Sequence, residues 1–379
     1  MKNALIINAV PTNNGDAALV FGLRDKLIEK GYKVTISTLK IDIVKKLYPN
    51  IEWIKAEYEF NKLERKIIRH IPSLKKKIIK RRTSTNDIYK NIDLIISAPG
   101  GYINSYYGIY DRIFQIDVIK KNYKSKVVMY SQSVGPLNSK DKEVLEKNIY
   151  LFDLFMARDE ISYNNVKEFK NVIKTNDAAF LLKNIESKEP KENKVAISVR
   201  EWKFDGRSKE KYISLIENMV YKCIDSGYDV EFLSTCQGLS NYVDDSIIAK
   251  EIVESLDNKY KKRVIVNDKY YSLEELRESL CRFKFVIGTR LHMCILSMLS
   301  GVPAFNISYE AKGKECYKIL DLNEYSIDYN DDIDEGMKKL QKFIDKNNDL
   351  IEVYKEKVKV MQKEANEYFE YMIEKVIKE

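Results

Sequence analysis

The sequence has no apolar run long enough to cross a membrane. None of its stretches approaches the roughly 18 apolar residues that a membrane-spanning helix needs. The apolar run at residues 4–10 is too short for a signal peptide, and no small-residue cleavage site follows it, so it favours a first buried strand. We therefore expect a cytoplasmic protein, either free or peripheral on the inner face of the cell membrane.

Paired cysteines are also missing. The five cysteines lie far apart and include no Cys-x-x-Cys pair. An odd number of scattered cysteines is typical of reduced thiols, and it argues against both a disulfide framework and a zinc site.

The composition excludes a disordered or fibrous chain. Hydrophobic residues make up 44% of the sequence and charged residues 32%, which is enough to fill a core and keep its surface soluble. At about 100–200 residues per domain, a length of 379 residues predicts two domains. The formal net charge is +8. Whether this excess indicates an anionic partner depends on where the basic residues lie along the chain.

Apolar runs alternate with helical patterns, as in a parallel α/β sheet. A strand at residues 4–10, an amphipathic helix at 16–30 and a strand at 34–39 form a first βαβ unit. Further strands are predicted at residues 93–97, 126–131, 154–157, 195–199, 230–234, 264–266, 285–288 and 303–307. The predicted fold class is α/β, with two doubly wound domains.

A charged, proline-containing stretch at residues 184–193 separates the two series of strands. We place an N-terminal domain at residues 1–185, a second at 194–333, and C-terminal helices at 334–379 that pack back on the first domain. Ligands of such sheets bind beyond the carboxyl ends of the strands, so two facing domains predict a cleft.

Glycine-bearing turns follow three of the predicted strands. The first carries Asn14, Gly15 and Asp16 before a helix, but it is not the Gly-x-Gly-x-x-Gly turn of dinucleotide-binding proteins. Asp16 either takes part in chemistry or caps the helix. The other two turns contain Gly100 with Gly101, and Gln132 with the glycine three residues later. Turn geometry alone also explains such glycines.

Charged side chains stand at three further strand ends. Arg158 directly follows a strand, where it either pairs with a carboxylate or grips a carboxylate or phosphate ligand. Arg290 and His292 open an apolar helix after residues 285–288. Histidine is the side chain best suited to move a proton near neutral pH, although a lone histidine is often a core residue. Lys312 and Lys314 follow the next strand and either bind phosphate or stay solvated.

Together these loops resemble the polysaccharide pyruvyl transferase family. The matching motifs are Asn14-Gly15-Asp16-x-Ala18, Pro99-Gly100-Gly101, Arg158-Asp159-x-x-Ser162, Asp177-x-Ala179-Phe180 and Gly288-x-Arg290-Leu291-His292. The resemblance implies two Rossmann-like domains in a GT-B-type arrangement, with the active site in the interdomain cleft. It also implies transfer of the pyruvyl group of phosphoenolpyruvate to two hydroxyls of a sugar, which forms a ketal and releases phosphate without a metal or other cofactor.

The same resemblance implies roles for individual residues. His292 would be the general acid, and Asp16 would accept a hydroxyl proton. Phosphoenolpyruvate would bind on the side of the second domain, through Arg290, Leu291 and Lys312 together with Arg158 of the first, although Glu310-Ala311 stands where many relatives have Asp-Pro. The acceptor, a sugar of a cell-surface polysaccharide or its lipid-linked precursor, would contact Asn14, Gly15, Gly100, Gly101 and Gln132 on the side of the first domain.

Two other functions fit the same architecture. A GT-B-type glycosyltransferase would bind a nucleotide sugar in the second domain. A catalytically silent, membrane-associated carbohydrate-binding protein would have the same fold without the activity. The joint presence of Arg158, Arg290 and His292 argues against this alternative.

The excess positive charge is concentrated at residues 62–82. Ten basic residues and one acidic residue give this segment a formal charge of +9, which leaves −1 for the rest of the chain. Its isoleucines and leucines recur at helical spacing, as in helices that lie on anionic lipid. The alternatives are a helix packed on its own domain and, less favoured, a nucleic-acid partner, for which no recognised binding module is present. We therefore expect no nucleic acid as partner.

Overall fold

A computed structural model describes residues 2–185, 191–201, 208–240, 242–329 and 331–377. The contacts divide the chain into two units. The first comprises residues 1–12, 19–181 and 364–379, and the second comprises residues 13–18 and 182–363. The predicted domain junction near residue 190 lies outside the described residues.

The first unit is built on an eight-stranded parallel sheet. Its strands run in the order β3-β2-β1-β4-β6-β7-β8, with β5 paired to β6. The strands are β1 (Lys2–Ala9), β2 (Tyr32–Thr38), β3 (Trp53–Lys55), β4 (Leu94–Ser97), β5 (Gly100–Ile103), β6 (Lys126–Val134), β7 (Leu154–Ala157) and β8 (Val172–Lys174).

Helices connect these strands, and their apolar faces cover a core of buried aliphatic and aromatic side chains. The helices are α1 (Asn14–Glu29), α2 (Ile41–Leu47), α3 (Lys62–His70), α4 (Pro72–Ser84), α5 (Tyr110–Asn122), α6 (Ser139–Glu146) and α7 (Glu160–Asn164).

The second unit contains a six-stranded parallel sheet. Its order, β11-β10-β9-β12-β13-β14, is the 3-2-1-4-5-6 order of a doubly wound dinucleotide-binding domain. The direction of winding therefore reverses between β9 and β12. The strands are β9 (Lys194–Ser198), β10 (Asp229–Phe232), β11 (Val264–Val266), β12 (Val286–Gly288), β13 (Ala304–Ser308) and β14 (Ser326–Asp328).

Seven α-helices among the described residues follow β9, and the last of them extends to Ile377. They are α8 (Lys209–Asp225), α9 (Ser246–Ser255), α10 (Asn258–Lys261), α11 (Leu273–Leu280), α12 (Leu291–Leu299), α13 (Ala311–Ile319) and α14 (Ile333–Ile377). By contact, α14 belongs to the second unit as far as Lys363 and to the first unit from Glu364.

The predicted α/β class is confirmed, since every strand pairing is parallel. The sequence patterns missed β3, β5, β8 and β14, each of three or four residues. The equally short β11 and β12 were predicted, because their residues belong to apolar runs. The prediction of several C-terminal helices was wrong, because residues 333–377 form one continuous helix. Among the described residues, none of the helices is long and apolar enough to span a membrane.

Phe343 anchors α14 on the second sheet. Its ring is fully buried, with its centroid 5.4 Å from that of Phe285, 5.6 Å from Phe305 and 5.5 Å from Tyr325. Aromatic side chains that bury this much surface dominate the energetics of a core.

We predict that Phe343→Ala lowers the free energy of unfolding by about 3–5 kcal/mol, because it removes a large apolar side chain and leaves a cavity. Urea denaturation followed by circular dichroism measures the change. Val360→Ala is the control, since Val360 lies on the same helix and is 54% exposed. A change for Phe343→Ala no larger than that of the control would contradict the proposed anchor.

Candidate active site

Two arginines follow the central strands of the second sheet. Gly288 at the end of β12 pairs in register with Ser198 at the end of β9. Arg200 and Arg290 each lie two residues beyond these partners. This is the point where the strand order reverses, at which ligands of doubly wound sheets bind. Arg200 was not among the predicted site residues, although it follows a predicted strand in the same way as Arg158 and Arg290.

Asp245 holds the guanidinium of Arg290 in place. Arg290 donates from Nε to Oδ2 of Asp245 at 2.8 Å and from Nη2 to Oδ1 at 2.7 Å. The Asp245 side chain is 2% exposed and also accepts a hydrogen bond from the Ser234 hydroxyl. Burial alone would lower the pKa of Arg290, but the Asp245 carboxylate outweighs it and raises the pKa. Arg290 is thus a fixed cation in a defined orientation.

Gly288 allows α12 to begin close to the end of β12. A Cβ atom at this position would collide with Sγ of Cys294. The helix starts directly after Arg290, with Leu291 buried at its first position and the half-buried His292 at its second. Free backbone N–H groups and the positive end of the helix dipole favour an anion there.

The turn that contains Gly15 contacts His292. A Cβ atom on Gly15 would lie 2.8 Å from Nδ1 of His292 and 3.1 Å from its Cβ and Cγ. Asn14 anchors the turn in the same unit, since its backbone N–H donates to the Thr235 carbonyl and its Nδ2 to the Tyr271 carbonyl. The structure therefore brings two predicted site loops together and gives a reason for glycine at position 15.

Asp16 does not cap α1. Asn13 performs this role, because its Oδ1 accepts a hydrogen bond from the Asp16 backbone N–H at 2.9 Å. The half-buried Asp16 carboxylate accepts a hydrogen bond from Nδ2 of Asn13 at 2.7 Å. Helix capping was the alternative to a chemical role for Asp16, and Asn13 performs it instead.

Lys312 is paired rather than solvated. Its Nζ lies 2.7 Å from Oε2 of Glu310. Burial would raise the pKa of Glu310, but Lys312 and, more weakly, Arg200 lower it below its ordinary value. Arg200 also hydrogen-bonds the Tyr309 hydroxyl and lies 4.7 Å from the centroid of the Tyr309 ring. Lys314 pairs with Asp328 at 2.7 Å.

In the first unit, Arg158 is also held by a buried carboxylate. Its Nη1 lies 3.2 Å from Oδ2 of Asp177, and the two side chains are 5% and 8% exposed. Nε and Nη2 donate to the Ser133 hydroxyl at 3.0 and 2.6 Å. That hydroxyl donates in turn to Asp159. The carboxylate partner considered for Arg158 is therefore present, and it comes from the Asp177 motif.

Three predicted acceptor residues lie on β5 and β6, and one of them, Gly101, is next to this arginine. A Cβ atom on Gly101 would lie 3.8 Å from Nη2 of Arg158. Gly100 pairs in register with Gln132, which precedes Ser133 on β6. Nε2 of Gln132 donates to the Ser133 carbonyl, whereas its buried Oε1 accepts no hydrogen bond within the described residues.

Each unit thus presents an arginine oriented by a buried aspartate, and the second unit adds a histidine at a helix start. Among the described residues, no group of three or more histidine, cysteine, aspartate or glutamate side chains is placed to hold a metal ion. The arrangement can bind an anion and supply a proton beside it.

Residues 13–311 match the family described as polysaccharide pyruvyl transferase. The chain belongs to this family. As a pyruvyl transferase family member, it has an enzymatic role in polysaccharide biosynthesis. A curated relative, the amylovoran biosynthesis protein AmsJ of Erwinia amylovora, is 28% identical in an alignment that covers 86% of this chain and 88% of AmsJ.

Solved structures share the fold of this pyruvyl transferase family member. A TarM variant from S. aureus has a TM-score of 0.61 at 12% identity, with 99% of each chain covered. A UDP-N-acetylglucosamine 2-epimerase from Listeria monocytogenes, itself described as putative, has a TM-score of 0.61 at 11% identity, with 100% of this chain and 98% of the other covered. These likenesses show two Rossmann-like domains of the GT-B type and confirm the predicted fold class.

We predict that Gly15→Ala displaces the His292 ring, because the added methyl group would overlap it. The chain contains only two histidines, so a spectrum of protein with labelled histidine reports each ring separately. The His292 resonances should move while those of His70 stay in place.

Gly336→Ala is the matched control, since a Cβ atom there meets only the ends of Ile327 and Leu215. It should leave both histidines unchanged. Unaltered His292 resonances in Gly15→Ala would show that the turn does not lie against this ring.

Proposed function

We propose that the protein transfers the pyruvyl group of phosphoenolpyruvate to two hydroxyls of one sugar and releases phosphate. The observation that carries this proposal is the edge of the second sheet, where Arg290 is fixed by Asp245 and His292 stands two residues further on. Family membership supports the transferred group.

Phosphoenolpyruvate carries a carboxylate and a phosphate on one enol carbon, so its site needs several cations in a small volume. On the second unit, Arg290 presents a planar guanidinium group, a shape that binds such anions through two parallel hydrogen bonds. The backbone N–H of Leu291 lies at the start of α12 and suits a phosphate oxygen. Lys312 and Arg200 add positive charge on the second unit, although Lys312 shares its charge with Glu310.

His292 is the proposed proton donor. It protonates the methylene carbon of phosphoenolpyruvate, which becomes a methyl group, and leaves positive charge on the neighbouring carbon. One sugar hydroxyl adds to this carbon and loses its proton. The carbon–oxygen bond to phosphate then breaks, and the second hydroxyl adds and closes the ketal. One hydroxyl proton replaces the proton that His292 gave up, and the other leaves with the phosphate or through Asp16.

The acceptor is proposed to be a sugar of a cell-surface polysaccharide or of its lipid-linked precursor. Hydroxyl groups need acceptors for their hydrogen bonds. Among the described residues, Oδ1 of Asn14 and Oε1 of Gln132 are buried and accept no hydrogen bond. Both belong to the residues predicted to contact the acceptor. The half-buried carboxylate of Asp16 is the proposed base for a sugar hydroxyl.

We predict that His292→Gln reduces transfer to a soluble sugar acceptor by about 10²–10⁴-fold, the usual contribution of general acid catalysis. Binding of phosphoenolpyruvate should change little, because the cations that hold it remain. Release of phosphate measures the rate, and calorimetry measures the binding.

His70→Gln is the control, since His70 is the other histidine and is exposed on α3. It should retain the wild-type rate. Near-normal turnover in His292→Gln would remove His292 from the proposed mechanism.

We predict that Arg290→Lys and Asp245→Asn each weaken phosphoenolpyruvate binding by about 10–100-fold. The first removes the planar fork, and the second removes the group that orients it, with hydrogen bonds to charged groups worth about 1.5–3 kcal/mol. Calorimetry with phosphoenolpyruvate measures the loss.

Arg263→Lys is the matched control, because Arg263 pairs with Asp229 in an exposed ion pair of the same unit. It should bind normally. Unchanged binding in Arg290→Lys would contradict the assignment of Arg290. Saturation of the wild-type protein by a nucleoside diphosphate, but not by phosphoenolpyruvate, would favour a glycosyltransferase instead.

A further inference from the structure

We propose that the first unit docks on an anionic phospholipid bilayer through α3. The contact is made by Leu63, Ile67 and Ile71, called here the α3 face, together with the surrounding cations. The proposed transfer reaction does not account for this surface, which lies in the segment that carries the excess charge of the chain.

The α3 face is exposed although it is apolar. Leu63 is 67% exposed, Ile67 40% and Ile71 52%. Leu63 and Ile67 are four positions apart on α3, so they lie on one side of the helix, and Ile71 follows four positions later as its C-cap residue. No residue of α3 is buried. Contiguous apolar surface with polar surroundings marks a binding surface for a protein or a membrane.

Three other isoleucines of the segment have a structural role. Ile79 is buried with Ala56, Tyr58 and Phe60, and Ile68 and Ile78 pack against the same cluster. The predicted apolar stripe at residues 62–82 therefore divides into two parts. One part attaches the helices to the first unit, and the other, the α3 face, is left exposed.

Polar contacts hold α3 in a defined position. Asn61 and Glu64 form a capping box at its first turn, and Nε of Arg65 donates to the Phe60 carbonyl at 2.8 Å. Arg82 binds Glu64 and also donates to the carbonyls of Glu57 and Glu59. The α3 face is therefore preformed, which reduces the ordering cost of binding.

The charge around the α3 face favours anionic lipid over other occupants. Eight cations of α3 and α4 are exposed and form no ion pair within the part of the chain that the structure describes. They are Lys62, Arg65, Lys66, Arg69, Lys76, Lys77, Lys80 and Arg81. A second copy of this chain would bring like charges together, and nucleic acid would offer nothing to the apolar α3 face. A bilayer with anionic headgroups offers negative charge to these cations and an apolar interior to the α3 face.

Exposed tyrosines extend this surface toward the carboxyl edge of the sheet. Lys76 lies 4.9 Å from the centroid of the Tyr110 ring, and Tyr106 and Tyr107 are exposed in the preceding loop. Tyrosine is enriched where proteins meet the membrane interface. The loop follows β5, whose Gly101 lies beside Arg158. If the proposed function holds, this surface would present a lipid-linked acceptor to the polar groups around Arg158.

Sedimentation of the full chain with vesicles tests the proposal. The protein should bind phosphatidylserine–phosphatidylcholine vesicles and not pure phosphatidylcholine. Since each cation near such a surface contributes about fivefold to partitioning, Lys66→Glu with Arg69→Glu should weaken binding at least 25-fold. Leu63→Ser with Ile67→Ser should weaken it even at low salt.

Two controls separate the α3 face from general surface effects. Lys140→Glu with Lys170→Glu makes the same charge change at exposed positions of the first unit, and Ile247→Ser changes an exposed isoleucine of the second unit. Both should bind vesicles as the wild type does. All variants should keep the wild-type rate of transfer to a soluble acceptor. Vesicle binding and transfer are therefore measured independently, and either proposal can be contradicted without the other.

Three results would overturn the proposal. The first is equal binding to neutral and anionic vesicles. The second is vesicle binding that the α3 variants leave unchanged. The third is the absence of vesicle binding. A dimer that Leu63→Ser and Ile67→Ser dissociate, or salt-sensitive binding to nucleic acid, would then identify another occupant of the α3 face.

Discussion

The buried ion pair between Arg290 and Asp245 determines where positive charge stands at the edge of the second sheet. Without Asp245 the guanidinium of Arg290 could rotate away from this position. Two parallel hydrogen bonds to the carboxylate hold it in one plane. Removing one member of a buried pair leaves an uncompensated charge, so both residues are needed together. Arg158 and Asp177 repeat the arrangement in the first unit.

A second constraint places the proposed acid. His292 is the second residue of α12 and lies beside Gly15, where a Cβ atom would overlap its ring. Gly288 lets the same helix approach the end of β12. Both positions need glycine because a Cβ atom there would overlap a neighbouring side chain. A small anion bound near Arg290 would therefore meet a proton donor whose position is set by packing on two sides.

The fold could be predicted from the sequence because buried parallel strands are continuous apolar runs, as at residues 4–10 and 285–288. The four missed strands β3, β5, β8 and β14 carry no such signal. Arg158, Arg290 and His292 were found because they follow these runs directly. Asp245 was missed, since it precedes a helix far from any predicted strand end. The contact of Gly15 with His292 joins residues far apart in sequence, and no local pattern reports it. Periodicity likewise indicated the apolar stripe at residues 62–82. It could not show that Ile79 is buried whereas Ile67 is exposed.

Transfer from carbon-13-labelled phosphoenolpyruvate to a sugar acceptor in heavy water, followed by NMR, is the decisive test of the proposed reaction. We expect a ketal whose methyl group carries one deuterium, with one phosphate released for each ketal formed. A product without deuterium in the methyl group would contradict protonation by an exchangeable acid such as His292. Consumption of a nucleotide sugar in place of phosphoenolpyruvate would contradict the proposed reaction itself.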